Sequence, residues 1–196
     1  MIETMEITAG VVLAYVLGSI PTGLWLGLRL RHIDIREHGS KNIGATNTMR
    51  VLGKKLGAMA LVCDIAKGLA PVLVIQQLDV WEYAPLLCGL AAVFGHTASV
   101  FLRFRGGKGV ATSAGVFLGL APLPTGIAVF VFAAVVAATR MVSAGSMLAS
   151  LTFAALVYAL AYPWPMRIIA TAVALLIVYR HRSNIQRIFR GEESKL

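Results

Sequence analysis

Residues 110–139 have the sequence VATSAGVFLGLAPLPTGIAVFVFAAVVAAT, a run of 30 residues without a charged side chain. One α-helix of that length would be about 45 Å long, whereas the hydrocarbon core of a bilayer is about 30 Å thick. Near its middle the run contains APLPT (121–125), and two prolines in so short a segment favour a tight turn. The run therefore predicts two membrane-spanning helices, one of them short, and not one long helix.

The rest of the chain contains five more apolar stretches that are long enough to span a membrane, since a spanning helix needs about 20 mostly apolar residues. They are roughly 7–30, 57–76, 84–104, 142–162 and 164–180. Of the 196 residues, 58% are hydrophobic and only 14% are charged, and the mean hydropathy is +0.77. These values are typical of integral membrane proteins. With 110–139 divided, the sequence predicts an all-α integral membrane protein with seven spans.

The distribution of basic residues supports the division of that run. Seven Lys or Arg residues lie in 29–55, three in 103–108, one at position 140 and five in 180–195, so seven spans place 16 of the 18 on one side. Cytoplasmic loops of membrane proteins carry such an excess of Lys and Arg. We therefore expect a seven-transmembrane-helix bundle that forms one domain over 1–196. Its glycine-rich loops and C-terminus would be cytoplasmic, and its N-terminus would lie outside.

The composition and the cysteines disfavour several other protein classes. The net charge of +9 is compatible with nucleic-acid binding, but basic cytoplasmic loops explain it, so we expect no nucleic-acid partner. Glu3 and Glu6 precede the first apolar run and no Lys or Arg does, so no cleavable signal peptide is predicted. Cys63 and Cys88 lie in apolar runs and are expected to be buried packing residues. No His and Cys residues have zinc spacing, so neither a metal nor a cofactor is predicted.

The stretch FRGGKGVAT (104–112) combines three glycines with a lysine, and we call its residues 106–109 the glycine loop. Glycines allow successive backbone N–H groups to point into one concavity, and a helix N-terminus adds about half a positive charge. Lys108 would add a full charge, so the loop is a candidate phosphate site, the alternative being a simple tight turn. A Walker A loop is excluded, because that motif requires Gly and Ser or Thr where Leu102 and Gly109 stand.

Three further segments place polar and cationic side chains on the same predicted side. HGSKNIGATNTMR (38–50) is either a substrate loop or a solvated loop of capping residues. YRHRSNIQRIFRGEE (179–193) is either part of a site or a basic helix that binds anionic lipid. TRMVSAGSM (139–147) brings one arginine and two serines to the start of a span. A single phosphate would not require so many clusters, whereas a reaction between two phosphate-bearing partners would.

Three ionisable residues lie within predicted spans, where such side chains are costly and are usually paired or functional. Asp64 and Lys67 are three residues apart on one helix, so we expect them to neutralise each other. His96 is either a buried, hydrogen-bonded histidine or a base near the glycine loop, and its spacing does not decide between the two.

Five ordered motifs extend over essentially the whole chain. They are GSIPTG (18–23), GSKNIGATNTMR (39–50), DIAKG (64–68), GHTASVFLRFRGGKGVAT (95–112) and HRSNIQRIFRGEE (181–193). In this order they resemble the motifs of the bacterial acyl-phosphate:glycerol-3-phosphate acyltransferase family. The resemblance implies a seven-span inner-membrane enzyme with its site on the cytoplasmic face. Such an enzyme transfers a fatty acyl group from acyl phosphate to the 1-hydroxyl of sn-glycerol 3-phosphate, and releases lysophosphatidic acid and inorganic phosphate in the first acylation of phospholipid synthesis.

The expected residue roles combine these motif matches with the polar segments. The expected catalytic residues are Ser40, Arg50, His96, Lys108, His181 and Asn184. The expected substrate-binding residues are Asn42, Gly44, Thr46, Asn47, Gly106, Gly107, Gly109, Thr112, Arg140, Ser143 and Ser146. Asp64, Lys67 and Glu193 are expected to be structural. The expected partners are acyl phosphate, glycerol 3-phosphate, membrane lipid and, functionally, an enzyme that produces acyl phosphate. Ser99 departs from the family pattern, since many members have Pro there.

Two other functions are compatible with the cationic loops. A transporter of an organic phosphate would use them as a vestibule, but it needs a polar path to the far side, where the loops are short and nearly uncharged. A lipid-binding scaffold would explain the basic faces but not the glycine loop. For the enzyme hypothesis no covalent nucleophile is needed, because acyl phosphate is already an activated anhydride. The proton acceptor would be a substrate phosphate, His96 or His181.

Overall fold

The computed structural model describes all 196 residues, and every regular element in it is helical. The helices are α1 (Ile2–Ser19), α2 (Thr22–Arg31), α3 (Ala45–Leu52), α4 (Lys54–Ile75), α5 (Ala84–Thr97), α6 (Val110–Leu120), α7 (Pro122–Thr139), α8 (Val142–Ala159), α9 (Trp164–Arg180) and α10 (Arg182–Phe189). One 3-10 turn covers Val100–Leu102. The predicted all-α class is confirmed. The chain divides into two compact units, Met1–Leu120 and Ala121–Leu196.

The predicted first span, 7–30, is wrong because the helix is interrupted before Pro21. Proline has no backbone N–H and disfavours helical conformation in the residue that precedes it, so α1 ends at Ser19. The helix also begins earlier than predicted, at Ile2. The segment after the break forms a separate helix, α2, which contacts α3 and α4.

At the break, side chains from other elements of the first unit donate to the carbonyls of Ser19 and Ile20, and the Ile20 carbonyl also accepts the Thr22 N–H at 3.1 Å. The ammonium group of Lys67 donates to the Ile20 carbonyl at 2.8 Å. The hydroxyl of Ser99 donates to the Ser19 carbonyl at 2.5 Å. In the hydrocarbon layer every backbone polar group must find a partner within the protein, so these two contacts make the interruption of a spanning segment tolerable.

Helices α4 and α6 pack backbone against backbone. A Cβ atom added to Gly68 of α4 would lie 2.1 Å from the Thr112 carbonyl oxygen, and one added to Gly115 of α6 would lie 2.0 Å from the Ile65 carbonyl oxygen. Neither position can hold a side chain without moving a helix, because both obstructing atoms belong to the backbone. The two glycines therefore fix the distance between α4 and α6.

The predicted division of 110–139 is confirmed and falls at Ala121. This residue has φ −151° and ψ 73°, outside helical values, and α7 begins at Pro122. Proline suits the first turn of a helix because its missing N–H would have no intrahelical acceptor there. The amide and hydroxyl of Thr125 both donate to the Ala121 carbonyl and close that first turn. Helix α6 has only 11 residues, a length of about 16 Å, and is therefore the short helix that the sequence predicted.

In the second unit, α7, α8 and α9 pack against each other in chain order. The predicted span 164–180 coincides with α9, and α8 ends three residues before the predicted 142–162 does. Aromatic residues gather where α8 and α9 meet: the Tyr158 and Trp164 rings lie edge to face, 6.4 Å apart, and the Arg167 guanidinium lies over Tyr158. Such aromatic and cationic groups are typical of membrane–water interfaces.

Five helical segments are long and apolar enough to cross a membrane. They are Ile2–Ser19, Lys54–Ile75, Ala84–Leu102, Pro122–Thr139 and Val142–Ala159. Helix α9 has 17 residues and α6 has 11, so both are shorter than these five. The count of seven spans, the orientation of the termini and the one-domain organisation over 1–196 stay predictions.

Large apolar side chains cover the outer surfaces of these helices. Val62 on α4 is 65% exposed and Phe130 on α7 is 74% exposed, as expected for helices that face lipid. Cys88 is buried as predicted, but Cys63 is exposed on α4, so its expected burial is wrong. The reason is its position on the helix face that carries Val62, which no other helix covers. Neither cysteine forms a disulfide.

Candidate functional site

The polar loop between α2 and α3, residues 33–44, is organised by the buried amide of Asn47 at the start of α3. The Asn47 Nδ2 atom donates to the carbonyls of Ile35 at 2.8 Å, Asn42 at 2.8 Å and His38 at 3.2 Å, and Oδ1 accepts the Ser40 N–H at 2.8 Å. Asn47 is 1% exposed. Both N–H groups and the oxygen of the amide are thus used within the loop. The structure places this predicted substrate-binding residue underneath the loop and not on its surface.

The surface of the same loop presents a hydroxyl and a guanidinium group. Ser40 and Arg50 are exposed, and Gly44 and Thr46 are half-buried. Asn42 Oδ1 accepts the Gly44 N–H at 2.8 Å, which closes a turn just before α3. Arg50 lies in the last turn of α3, where the helix dipole favours a cation. The first motif therefore offers two chemically useful side chains on a backbone that other residues hold in place.

The glycine loop folds back onto the C-terminal end of α5. The N–H of Gly106 donates to the Thr97 carbonyl at 3.1 Å, and the N–H of Gly107 donates to the His96 carbonyl at 3.0 Å. A Cβ atom at Gly107 would lie 2.2 Å from His96 Nε2, so the position admits only glycine while His96 stays where it is. The loop and the histidine side chain are therefore in direct contact.

The groups that could bind an anion in the structure are only some of the ones that the sequence predicted. The amides of Gly106 and Gly107 already donate to carbonyls of α5, as just described. The half-buried side chain of Lys108 and the first turn of α6 adjoin these glycines and are the candidate groups for binding an anion. Gly109, with φ 85°, reverses the chain direction between the two. The first N–H groups of a helix have no intrahelical acceptor, so this turn suits an anion.

Three ionisable side chains lie together beneath the glycine loop. Lys67 Nζ lies 2.8 Å from Asp64 Oδ1, so the predicted pairing is present, and His96 Nδ1 lies 3.9 Å from the same oxygen. All three residues are buried. Since Lys67 also binds the carbonyl at the break after α1, the group connects α1, α4 and α5. His96 is thus both buried and beside the loop, and its role as a base stays a prediction.

Thr112, a predicted substrate contact, lies inside the first unit. It is completely buried, and its carbonyl faces Gly68 of α4. The hydroxyls of Thr112 and the neighbouring Ser113 have no protein hydrogen-bond partner. Burial against α4 follows from the backbone packing of the two helices, which the sequence analysis did not predict. The structure does not bring Thr112 to the surface of the glycine loop.

In the second unit, the carboxylate of Glu193 binds three side chains. Oε1 accepts from Ser143 Oγ at 2.8 Å and Asn184 Nδ2 at 2.6 Å, and Oε2 accepts from Arg187 Nε at 2.8 Å. Burial alone would raise the pKa of Glu193, but the hydrogen bonds from Asn184, Ser143 and Arg187 outweigh burial and hold the pKa below its usual 4.5. This geometry suits the structural role expected of Glu193, and it joins α8, α10 and the C-terminal segment.

The other predicted site residues of the second unit are also engaged locally. His181 is buried at the end of α9, with Nδ1 2.8 Å from the Ile177 carbonyl. Arg140 ends α7 with φ 63°, and its Nε and Nη2 donate to the Leu196 carbonyl at 3.1 and 2.8 Å. Ser146 donates to a carbonyl one turn back in α8.

Two contacts around the glycine loop were not anticipated from the sequence. The Tyr15 hydroxyl donates to the Ala98 carbonyl at 2.9 Å, and the Ser99 hydroxyl donates to the Ser19 carbonyl. Both connect α1 with the segment that leads into the loop. A signal was present in GSIPTG (18–23), because a proline inside an apolar span indicates carbonyls that need donors from elsewhere.

Spanning-length apolar helices and a cationic glycine loop in the first unit define a helical membrane protein with a candidate anion site. The profile of the glycerol-3-phosphate acyltransferase family matches residues 8–191. The glycerol-3-phosphate acyltransferase of Trichlorobacter lovleyi is 47% identical over 182 residues, which cover 93% of each chain. That of Listeria monocytogenes is 46% identical over 187 residues, which cover 94% of this chain and 93% of the relative.

Solved structures agree with these sequence matches. The glycerol 3-phosphate form of PlsY, an integral membrane glycerol 3-phosphate acyltransferase, superposes with a TM-score of 0.93 at 35% identity, and the match covers 97% of this chain and 96% of PlsY. The lysophosphatidic acid form superposes with a TM-score of 0.89. The chain belongs to the glycerol-3-phosphate acyltransferase family. It is an integral membrane enzyme of phospholipid synthesis, as the motifs predicted.

Proposed function

We propose that this enzyme takes its acyl group from acyl phosphate, and that its products are lysophosphatidic acid and inorganic phosphate. The observation that carries the proposal is the glycine loop, where the Lys108 side chain and the first turn of α6 offer positive charge that suits a phosphate group. The two forms of PlsY support the acceptor and the acylated product of this proposal, since one is the glycerol 3-phosphate form and the other the lysophosphatidic acid form.

The chemistry requires little beyond the positioning of two anions. The 1-hydroxyl oxygen of glycerol 3-phosphate attacks the acyl carbon, a C–O bond forms, and the bond from that carbon to the phosphate oxygen breaks. The phosphate leaves with the bonding electrons, and the hydroxyl proton passes to a substrate phosphate oxygen, His96 or His181. Because the donor is already activated, holding the reactants in register can supply about 7–11 kcal/mol of the barrier.

In the first unit, we assign Lys108 and Arg50 to the phosphate groups. Fixed cations stabilise the negative charge that develops on the leaving phosphate, and they cost no reorganisation at the moment of reaction. The exposed hydroxyl of Ser40 is positioned by the Asn47 amide, which binds the Ser40 N–H. Asn47 therefore serves the site through the loop backbone.

In the second unit, we assign His181 and Asn184 to catalysis on the basis of their motif. The Glu193 carboxylate fixes Asn184 and Ser143, so Ser143 has a supporting role in this proposal. Arg140 and Ser146, which are engaged with neighbouring carbonyls, are likewise assigned to holding the ends of α7 and α8.

The proposed membrane arrangement has seven spans, with the N-terminus outside, the C-terminus inside and the site on the cytoplasmic face of a bacterial inner membrane. Support comes from the two ends of the first unit. At one end Glu3 accepts the Trp81 N–H at 2.9 Å, which brings the start of α1 to the connection between α4 and α5, where no Lys or Arg occurs. The opposite end carries the basic loops. An enzyme that makes acyl phosphate is the functional partner that this donor requires.

The test uses the detergent-purified full chain with glycerol 3-phosphate and either palmitoyl phosphate or palmitoyl-CoA, and it measures lysophosphatidic acid by mass spectrometry and phosphate release. We expect product from palmitoyl phosphate alone. Product from palmitoyl-CoA alone would overturn the proposed donor. Phosphate release in detergent, where no gradient exists, also separates the enzyme from a transporter.

A further inference from the structure

The segment between α5 and the glycine loop turns around one residue, Ser99. Its carbonyl accepts two N–H groups from the residues that follow it in the turn, those of Leu102 at 3.1 Å and Phe104 at 2.8 Å. The two glycine-loop bonds to α5 continue the same pairing toward the helix. The backbone from His96 to Gly107 is therefore one closed unit, and moving Ser99 would move the glycine loop with it.

Ser99 is also where this unit is attached to α1. Its hydroxyl donates to the Ser19 carbonyl at 2.5 Å, and both residues are almost completely inaccessible, at 0% and 1% exposure. The preceding residue, Ala98, accepts a second bond from Tyr15 of α1. Because Ser19 and Ser99 are both buried, we expect no solvent donor to replace the Ser99 hydroxyl at the Ser19 carbonyl.

The other side of the same attachment point is equally fixed. The next carbonyl of the α1 break, that of Ile20, binds Lys67, which in turn pairs with Asp64. The end of α1 is thus held by the ion group beneath the loop on one side and by Ser99 on the other. The position of the glycine loop relative to α4 depends on both contacts.

We propose that Ser99 is a positioning residue for the acyltransferase reaction: its hydroxyl, bound to the Ser19 carbonyl, sets the position of the glycine loop and hence of the Lys108 ammonium. This inference rests on the proposed function, in which Lys108 holds a phosphate group. Ser99 itself is buried away from any ligand. Its loss should lower kcat through a displaced cation more than it raises KM, since small displacements of a catalytic group are costly to rate.

The backbone conformation at Ser99 allows a substitution that should restore the position of the turn without the hydroxyl. Its φ of −66° is the value that proline imposes, and its N–H donates to no protein group. Ser99→Pro would therefore remove the hydroxyl but restrain the same turn by covalent means. Ser99→Ala removes the hydroxyl and supplies no restraint. A positioning role predicts that the two variants differ, although both lack the hydrogen bond.

The experiment measures kcat, KM for both substrates and thermal stability for the full chain and for Ser99→Ala, Ser99→Pro and Lys108→Ala. Ser150→Ala is the matched control, because the Ser150 hydroxyl bonds only within α8. We expect Ser99→Ala to lower kcat about tenfold with KM changed less than twofold, and Ser99→Pro to recover most of the loss. Tyr15→Phe, which removes the neighbouring attachment, should give a smaller loss and serves if Ser99→Ala does not fold.

Three results would overturn the inference. The first is full kcat in Ser99→Ala or, if that variant does not fold, in Tyr15→Phe, while Lys108→Ala is inactive; the proposed function would then stand. The second is an equal loss of kcat in Ser99→Ala and Ser99→Pro that follows their loss of thermal stability, which would mean a merely structural role. The third is full activity in Lys108→Ala, which would remove the proposed function and this inference together.

Discussion

The polar loop of the first unit and the C-terminal segment of the second are both irregular backbone held by one buried side chain, but the two side chains differ in chemistry. The amide of Asn47 makes four hydrogen bonds, all of them to backbone groups. The carboxylate of Glu193 makes three, all from side chains, and one donor is the guanidinium of Arg187. An amide does not titrate, whereas a carboxylate does.

The difference shows how two irregular segments, one in each unit, can respond differently to their surroundings. The four hydrogen bonds of the Asn47 amide involve no titrating group, and they bind backbone groups of the loop and not its side chains. The Glu193 contacts depend on protonation and on the identity of three separate residues. The first arrangement suits a loop that presents reactive groups, and the second joins elements far apart in the chain.

The largest effect on activity should come from a residue outside both regions, Lys108. Replacing it with alanine is expected to lower kcat/KM by more than about 100-fold, since removal of one preorganised stabilising group costs roughly 3 kcal/mol of transition-state energy. Folding should be unaffected, as judged by thermal unfolding. Lys195→Ala removes the same charge from the exposed C-terminal segment and is the control. Similar losses in the two variants would mean that only total charge matters.

Asn47→Ala should give the largest loss of stability. The substitution leaves several buried backbone groups without partners, so we expect the free energy of unfolding to fall by about 2–4 kcal/mol, by the same amount at pH 5 and pH 8. Denaturation of the purified protein in SDS-containing micelles measures it. Asn42→Ala, which removes one turn contact, should cost about 1 kcal/mol or less. Equal costs would contradict the central role of Asn47.

Glu193→Gln should instead change how stability depends on pH. Because the folded-state pKa of Glu193 is lowered below its usual 4.5, the carboxylate stabilises the fold above that pH, and this contribution is lost as pH falls through the folded-state pKa. The parent protein should therefore lose melting temperature more steeply than Glu193→Gln between pH 6 and pH 3. Parallel curves would refute this, and Glu192→Gln, an exposed neighbour, is the control.

The smallest effect should come from the ion pair at the start of the polar loop. Arg36 Nη2 lies 2.6 Å from Asp34 Oδ2, and this hydrogen bond to Arg36 holds the pKa of Asp34 below its usual 3.8. The Arg36 side chain is 49% exposed, so solvent screens the pair. Arg36→Ala should change the free energy of unfolding by about 0.5 kcal/mol or less, and less still in 0.5 M salt. A loss of stability as large as that of Glu193→Gln would show that the exposed fraction of the Arg36 side chain does not predict the strength of this ion pair.

Much of the helix pattern could be predicted from the sequence, because spanning length and proline act locally. The limits of α9 and the division of 110–139 follow from such signals. The first span, 7–30, could not be predicted correctly on the same basis. Whether a proline breaks a span or only bends it depends on donors for the freed carbonyls, and here they come from Lys67 and Ser99, which are distant in the chain.

For the candidate site, the sequence indicated the segments but not the division of labour within them. Motifs pointed to Lys108, Arg50 and Glu193, and the catalytic roles of the first two stay predictions. That Asn47 binds backbone beneath the loop, or that Thr112 faces α4, depends on which helix face is covered by another element. Such coverage is set by tertiary packing, which one sequence without a structure does not reveal.

The short helix α6 has a consequence for biogenesis. Eleven residues, about 16 Å, are too few to be released from the insertion machinery into lipid as an independent span. The helix must stay sheltered until α4 is in place, and the contact it then makes is backbone on backbone at Gly68 and Gly115. We therefore expect a side chain at either glycine to prevent membrane integration during synthesis. The nascent chain would then be degraded, so the effect would be a loss of protein and not a lower kcat.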